Sequence, residues 1–106
     1  MLLSLPGYSQ AFRDALGNLQ TPASVSLIRE LIQSNQVSGI EGEIYLTSLS
    51  MVSRPSLELL QESSPLLGLT GVMRRKANLA VSALVHNYCH LHPDCEDKTE
   101  VKNIVR

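Results

Sequence analysis

Tryptophan is absent from this chain of 106 residues, phenylalanine occurs once and tyrosine three times. A core must therefore be filled by Leu, Ile, Val and Ala, which favours helix-on-helix packing over a β-sandwich. Charge is sparse as well: Lys, Arg, Asp and Glu make up 18%, below the usual quarter. Nine basic residues offset ten acidic ones, for a formal net charge of −1. A balance so even gives no global electrostatic reason to expect nucleic acid or an anionic membrane as partner. No apolar run approaches the roughly 20 residues that span a bilayer. Met1-Leu2-Leu3-Ser4-Leu5 lacks a basic leader and Pro6-Gly7 cuts it short, against a signal peptide. The chain is then either cytosolic or a piece of something longer. The helical pattern still running at Lys102-Asn103-Ile104-Val105-Arg106 without a cap favours the second.

The parts of an enzyme are missing too. No phosphate-cradling glycine loop, nucleophile elbow or metalloprotease helix occurs. Glu41 with Glu43, or Glu58 with Glu62, could be read as paired carboxylates, but a solvated helix face accounts for each. No catalytic activity and no cofactor are expected.

What is present is apolar material at 43%, enough for one core and, at this length, one domain. Punctuation divides it into about six helices. The first spans about Tyr8 to Leu16 and stops at Gly17-Asn18. Thr21-Pro22 reads as an N-cap with Pro at the first helical position, opening a helix to about Asn35. Its apolar stripe would be Val25, Leu27, Ile28, Leu31 and Ile32. Ser38 and Glu41 form a capping-box signature before Ile40, Ile44, Tyr45, Leu49 and Val52. Ser53, with Pro55 beyond it, opens a short helix carrying Leu57, Leu59 and Leu60, which Ser64-Pro65 ends. Residues 66–71 look like a loop. The longest helix runs about Met73 to Tyr88, with Ala77, Ala80, Ala83, Leu84 and Tyr88 on one side. A last one starts near Asp97 or Lys98 and carries Val101, Ile104 and Val105.

No segment alternates strictly between turns, so no sheet is expected; Ile44-Tyr45-Leu46-Thr47 has strand-like residues but neighbours that fit a helical period. Short connections imply antiparallel helical hairpins, hence an all-α fold forming part of an α-superhelix. Leu57, Leu59, Leu60, Leu66, Leu67 and Leu69 are more leucine than one bundle hides, and the surplus would be covered by a larger protein or by lipid. The basic run Arg74-Arg75-Lys76 is explained by a solvated helix start; lipid head groups or an acidic partner are the sharper alternative.

One cluster is chemically rich: His86, Cys89, His90, His92 and Cys95. A Pro93-Asp94 turn between the cysteines can bring two Cα atoms within the roughly 4.4–6.8 Å of a disulfide, which implies an oxidising compartment. Alternatively His86, Cys89, His90 and Cys95 hold zinc, because three- and four-residue spacings share a helical face, although the paired C-x-x-C knuckles are missing. Two free thiols are the third reading. A Cys89–His90 nucleophilic pair is disfavoured because helix neighbours point apart.

Several stretches, in consistent order over about residues 8–106, resemble the helical domain of the large lipid transfer proteins (vitellogenin, apolipoprotein B, apolipophorin and microsomal triglyceride transfer protein). Thr21-Pro22 and Leu27-Ile28-Arg29-Glu30-Leu31-Ile32 are similar to one family helix. Val37-Ser38-Gly39, then Glu41, Glu43 and Tyr45-Leu46-Thr47-Ser48-Leu49, then Arg54-Pro55-Ser56-Leu57-Glu58-Leu59-Leu60, resemble its buried helix, Pro-initiated turn and Leu-rich helix. Leu79-Ala80-Val81-Ser82-Ala83-Leu84-Val85-His86-Asn87-Tyr88-Cys89 is similar to its long helix ending in Tyr-Cys, and Cys95 falls where a second family cysteine pairs with the first. The resemblance implies that residues 1–106 are a fragment of a two-layered helical arc around β-sheets enclosing a lipid cavity. It implies phospholipid and neutral lipid as cargo of the full-length protein, β-sheet domains of the same chain as partners, and secretion or residence in the endoplasmic reticulum lumen. In microsomal triglyceride transfer protein this domain also contacts protein disulfide isomerase. The competing expectation is a cytosolic α-solenoid that binds other proteins.

Overall fold

Helix starts are chosen by residues that can accept from free N–H groups, and two serines do so here. In the computed structural model, which describes residues 10–95, 101 and 104, Ser38 accepts from the Glu41 N–H at 3.1 Å. Its own N–H donates to Glu41 Oε1 at 2.8 Å, completing a capping box. The helix that follows is Gly39–Ser50, α3. Ser56, rather than Ser53, caps the next helix by accepting from the Leu59 N–H at 3.1 Å. The reason for the three-residue shift is Pro55: it keeps the preceding residue out of the helical region, so Leu57–Ser63, α4, begins only beyond it.

The other elements are α1, Gln10–Gly17; α2, Pro22–Gln33; and α5, Gly71–Leu91. Thr21 occupies the N-cap position of α2 ahead of Pro22, but its hydroxyl turns back and donates to the Asn18 carbonyl at 2.7 Å. Residues expected to be loop, 66–71, instead contribute to a 3-10 helix, Ser64–Gly68, and to the start of α5. Gly71 takes φ +63, a left-handed conformation that a side chain would penalise, and this sharp turn starts α5 two residues early. α5 ends where Pro93 cannot continue it. Val101 and Ile104 are helical and buried; the expected start near Asp97 or Lys98, the Val105 assignment and the start at Tyr8 lie outside the described residues.

The chain is all-helical, and the described residues contain no strand. Helices two apart in sequence pack side by side: α1 on α3, α3 most extensively on α5, and α2 on α4. Consecutive helices touch across the gap, α1 with α2, α2 with α3 and α4 with α5. The result is two layers, α1–α3–α5 and α2–α4, in a body of 45 × 26 × 19 Å. Small residues set the main contact. Ala77 and Ala80 of α5 are fully buried, and a Cβ on Gly42 of α3 would sit 2.9 Å from Met73 Sδ.

The expected stripes need two corrections. Leu27 and Ile40 are exposed, the latter by 65%, whereas Ile32 and Ile44 pack half-buried against the core; Ser24 takes the inward place on α2. Both stripes were wider than the face the neighbouring layer covers. The leucines of 57–69 leave no surplus: Leu59, Leu60, Leu66 and Leu69 are buried, with Leu57 and Leu67 packed against them. Tyr45, Leu46, Leu49 and Leu84 form the centre.

Candidate functional site

Chemistry at the carboxyl end of α5 starts from two sulfurs. Cys89, half-buried on the last turns of α5, and Cys95, buried beyond the turn, are joined by a disulfide with Cα atoms 5.2 Å apart. Pro93 and Asp94 make the reversal, and the Cys95 N–H donates to the His92 carbonyl at 2.9 Å. The His92 ring stacks on Tyr88, centroids 4.3 Å apart. Because each sulfur is bonded to the other, neither is a thiolate ligand, and the zinc arrangement of His86, Cys89, His90 and Cys95 is not assembled. His86 and His90 are exposed, and among the described residues no three His, Cys, Asp or Glu side chains gather as metal ligands. The bridge closes a short loop, so its restriction of the unfolded chain amounts to about 2 kcal/mol.

Two of the four carboxylates, Glu41 and Glu62, have structural occupations. Glu41 is buried and held by the Ser38 N–H, and Glu43 lies two residues along the same helix, where side chains do not face each other. Glu62 accepts from the Ser26 hydroxyl, tying α4 to α2, while Glu58 stands exposed at the start of α4.

Three polar contacts carry no signal in the sequence. Asn87 Nδ2 of α5 donates to the Val52 carbonyl at 2.9 Å, pinning the turn after α3. Ser63 Oγ donates to the Leu59 carbonyl at 2.7 Å inside the core. Ser24 Oγ, on α2, lies 3.0 Å from Tyr45 Oη on α3. The serine proton is directed at the Asn18 and Thr21 carbonyls, 2.8 and 3.0 Å away, which can only accept. Tyr45 is therefore the donor in the pair. Burial pushes the Tyr45 hydroxyl up to about 12, against a smaller lowering by Ser24. A phenol held in its neutral form is a structural donor, not a base.

An open cleft of about 470 Å³ lies where the amino ends of α3 and α5 meet, lined by Ile32, Val37, Ser38, Gly68, Thr70 and Met73 among others. None of its lining residues is titratable, so it offers shape without acid or base. No described helix is long and apolar enough to cross a membrane.

A family model described as the vitellogenin TPR domain matches residues 4–105 of this chain. No curated protein and no solved structure matches it.

Proposed function

Because the chain belongs to the large lipid transfer protein family, through that family's helical vitellogenin TPR domain, we propose that it is a non-catalytic scaffold segment of a lipid transporter. The match over residues 4–105 carries this reading, since it takes in all five described helices. Two layers of paired helices with leucine-rich interiors suit a wall: they present long, stiff faces without needing a reactive centre. In the full-length protein such a wall would surround phospholipid and neutral lipid held by β-sheet domains of the same chain. Secretion, or residence in the endoplasmic reticulum lumen, is the compartment we propose. The Cys89–Cys95 bridge supports it, because disulfides persist in oxidising surroundings and are rare in the cytosol.

The test uses the full-length protein secreted from a eukaryotic host and kept unreduced. Intact mass with and without alkylation should show two protons fewer and no alkylation at Cys89 or Cys95, and solvent extraction of the same preparation should release phospholipid and neutral lipid. Two alkylated thiols in folded, lipid-free protein would overturn the proposal and favour a cytosolic α-solenoid that binds proteins.

A further inference from the structure

Asn87 belongs to a three-residue sequence with a second chemical meaning. Of the five asparagines in the chain, it alone has a hydroxyl or thiol residue two positions on with no proline between, in Asn87-Tyr88-Cys89. That spacing is the acceptor pattern for N-linked glycan transfer, in which Ser or Thr ordinarily holds the third place. A cysteine can hold it because its S–H is a donor too, although a weaker one than a hydroxyl. A sulfur bonded to another sulfur has no hydrogen to donate, so a disulfide empties the third place.

In the folded chain both ends of the pattern are occupied. Asn87 Nδ2, half-buried on α5, donates to the Val52 carbonyl at 2.9 Å. Cys89 is bridged to Cys95. A bulky glycan on that nitrogen would stand where α5 meets the turn after α3. Fold and modification therefore compete for the same three residues. Cys95 follows Cys89 by six residues, so at about 5–20 residues per second it is synthesised within about a second. Forming the bridge takes seconds to hours, depending on the oxidant. Between those two events Cys89 is a thiol and the pattern is open.

We propose that Asn87 is an N-glycan acceptor only while Cys89 is a free thiol, so that a glycan there marks chains whose Cys89–Cys95 bridge has failed to close. Its compartment is that of the secretory reading, on which it rests: the endoplasmic reticulum lumen holds both the lipid-linked sugar donor and the oxidising surroundings. In the transfer, the Asn87 amide nitrogen bonds to the first carbon of an oligosaccharide carried on dolichyl diphosphate. The bond from that carbon to the diphosphate oxygen breaks, dolichyl diphosphate leaves with the electron pair, and the nitrogen gives up one proton. Bridge closure is the competing reaction. Two thiols become one disulfide, and their two electrons and two protons pass to a disulfide-carrying oxidoreductase.

Translation of the full-length protein in the presence of microsomes tests the proposal. Peptide mass spectrometry after enzymatic glycan release reads occupancy, because release leaves a carboxylate in place of the Asn87 amide. The parent protein should carry little glycan at Asn87, and dithiothreitol during synthesis should raise occupancy several-fold. Cys95→Ser should be glycosylated at Asn87 and Cys89→Ala should not. Both lack the bridge, so the contrast separates the acceptor pattern from misfolding in general. Three outcomes would overturn this proposal and leave the secretory reading standing, provided that protease protection shows the protein inside the microsomes. They are equal occupancy of the parent with and without dithiothreitol, no glycan on Cys95→Ser, and a glycan on Cys89→Ala. Failure of the parent protein to enter the microsomes would overturn both. Glycan transfer acts on the unfolded chain, so the comparison holds even where a variant does not fold.

Discussion

Tyr45 is fully buried on α3, and its hydroxyl donates to Ser24 of α2. Its folded value of about 12 lies above the ordinary 10, so ionisation opposes folding. The stability this group contributes is fully present below pH 10 and is lost as pH rises from about 10 to about 12. The slope should be about 1.4 kcal/mol per pH unit. Urea denaturation at a series of alkaline pH values should show that loss, and Tyr45→Phe should flatten the slope over this window. An equal slope in the phenylalanine variant would refute the assignment. Gly42 poses the opposite kind of question, one of space. An added Cβ meets only the flexible tip of Met73 within 3 Å, with Ile32 Cδ1 at 3.4 Å. Gly42→Ala should change stability by less than about 1 kcal/mol, because gained helix propensity offsets the displaced thioether. Gly42→Leu should cost about 1–3 kcal/mol by wedging α3 away from its neighbours. Thermal or urea unfolding of the two variants distinguishes a tolerant contact from a rigid one.

At the scale of the element, start and stop signals were legible where they depend on adjacent residues alone. The Ser38–Glu41 box formed as its spacing requires, and α1 stops at Gly17. Ser38→Ala removes the acceptor for the Glu41 N–H and should cost about 1 kcal/mol, read from the urea midpoint at unchanged slope. Ser53→Ala should be silent, since Ser56 is the residue that caps α4; a loss at Ser53 equal to that at Ser38 would contradict this. The cap of α4 is ambiguous in the sequence because two serines flank Pro55 and only the backbone around the proline selects Ser56. The stretch 64–68 carries no helical signature in the sequence because a single 3-10 turn has too few residues to show a period. The inward turn of Ser24, in place of Leu27, was invisible for a different reason: a partner 21 residues away on α3 decides it.

For the whole molecule, layering orders the stability. Among the described elements, α5 is the longest helix and packs on α3, the 3-10 segment and α4, whereas α1 is eight residues long and touches only α2 and α3 appreciably. Amide hydrogen exchange should therefore find the buried turns around Ala80 and Leu84 and those around Tyr45 opening together and last, with α1 opening earlier. Slower exchange in α1 than in α5 would break the description of α3–α5 as the spine. Residue types and their spacing determined the helical class, most helix limits and the family likeness, because these rest on local backbone preference and on which side chains can fill a core. The Cys89–Cys95 separation allowed a bridge but also zinc or free thiols, and the sulfurs' pairing is a matter of where the Pro93–Asp94 turn places them. Only tertiary structure decided which part of each apolar stripe is covered and which polar side chains reach across helices, as Ser24 reaches Tyr45 and Asn87 reaches the Val52 carbonyl. Those outcomes depend on contacts between helices far apart in the chain, and a periodic sequence specifies a face without specifying how much of it a neighbour will reach.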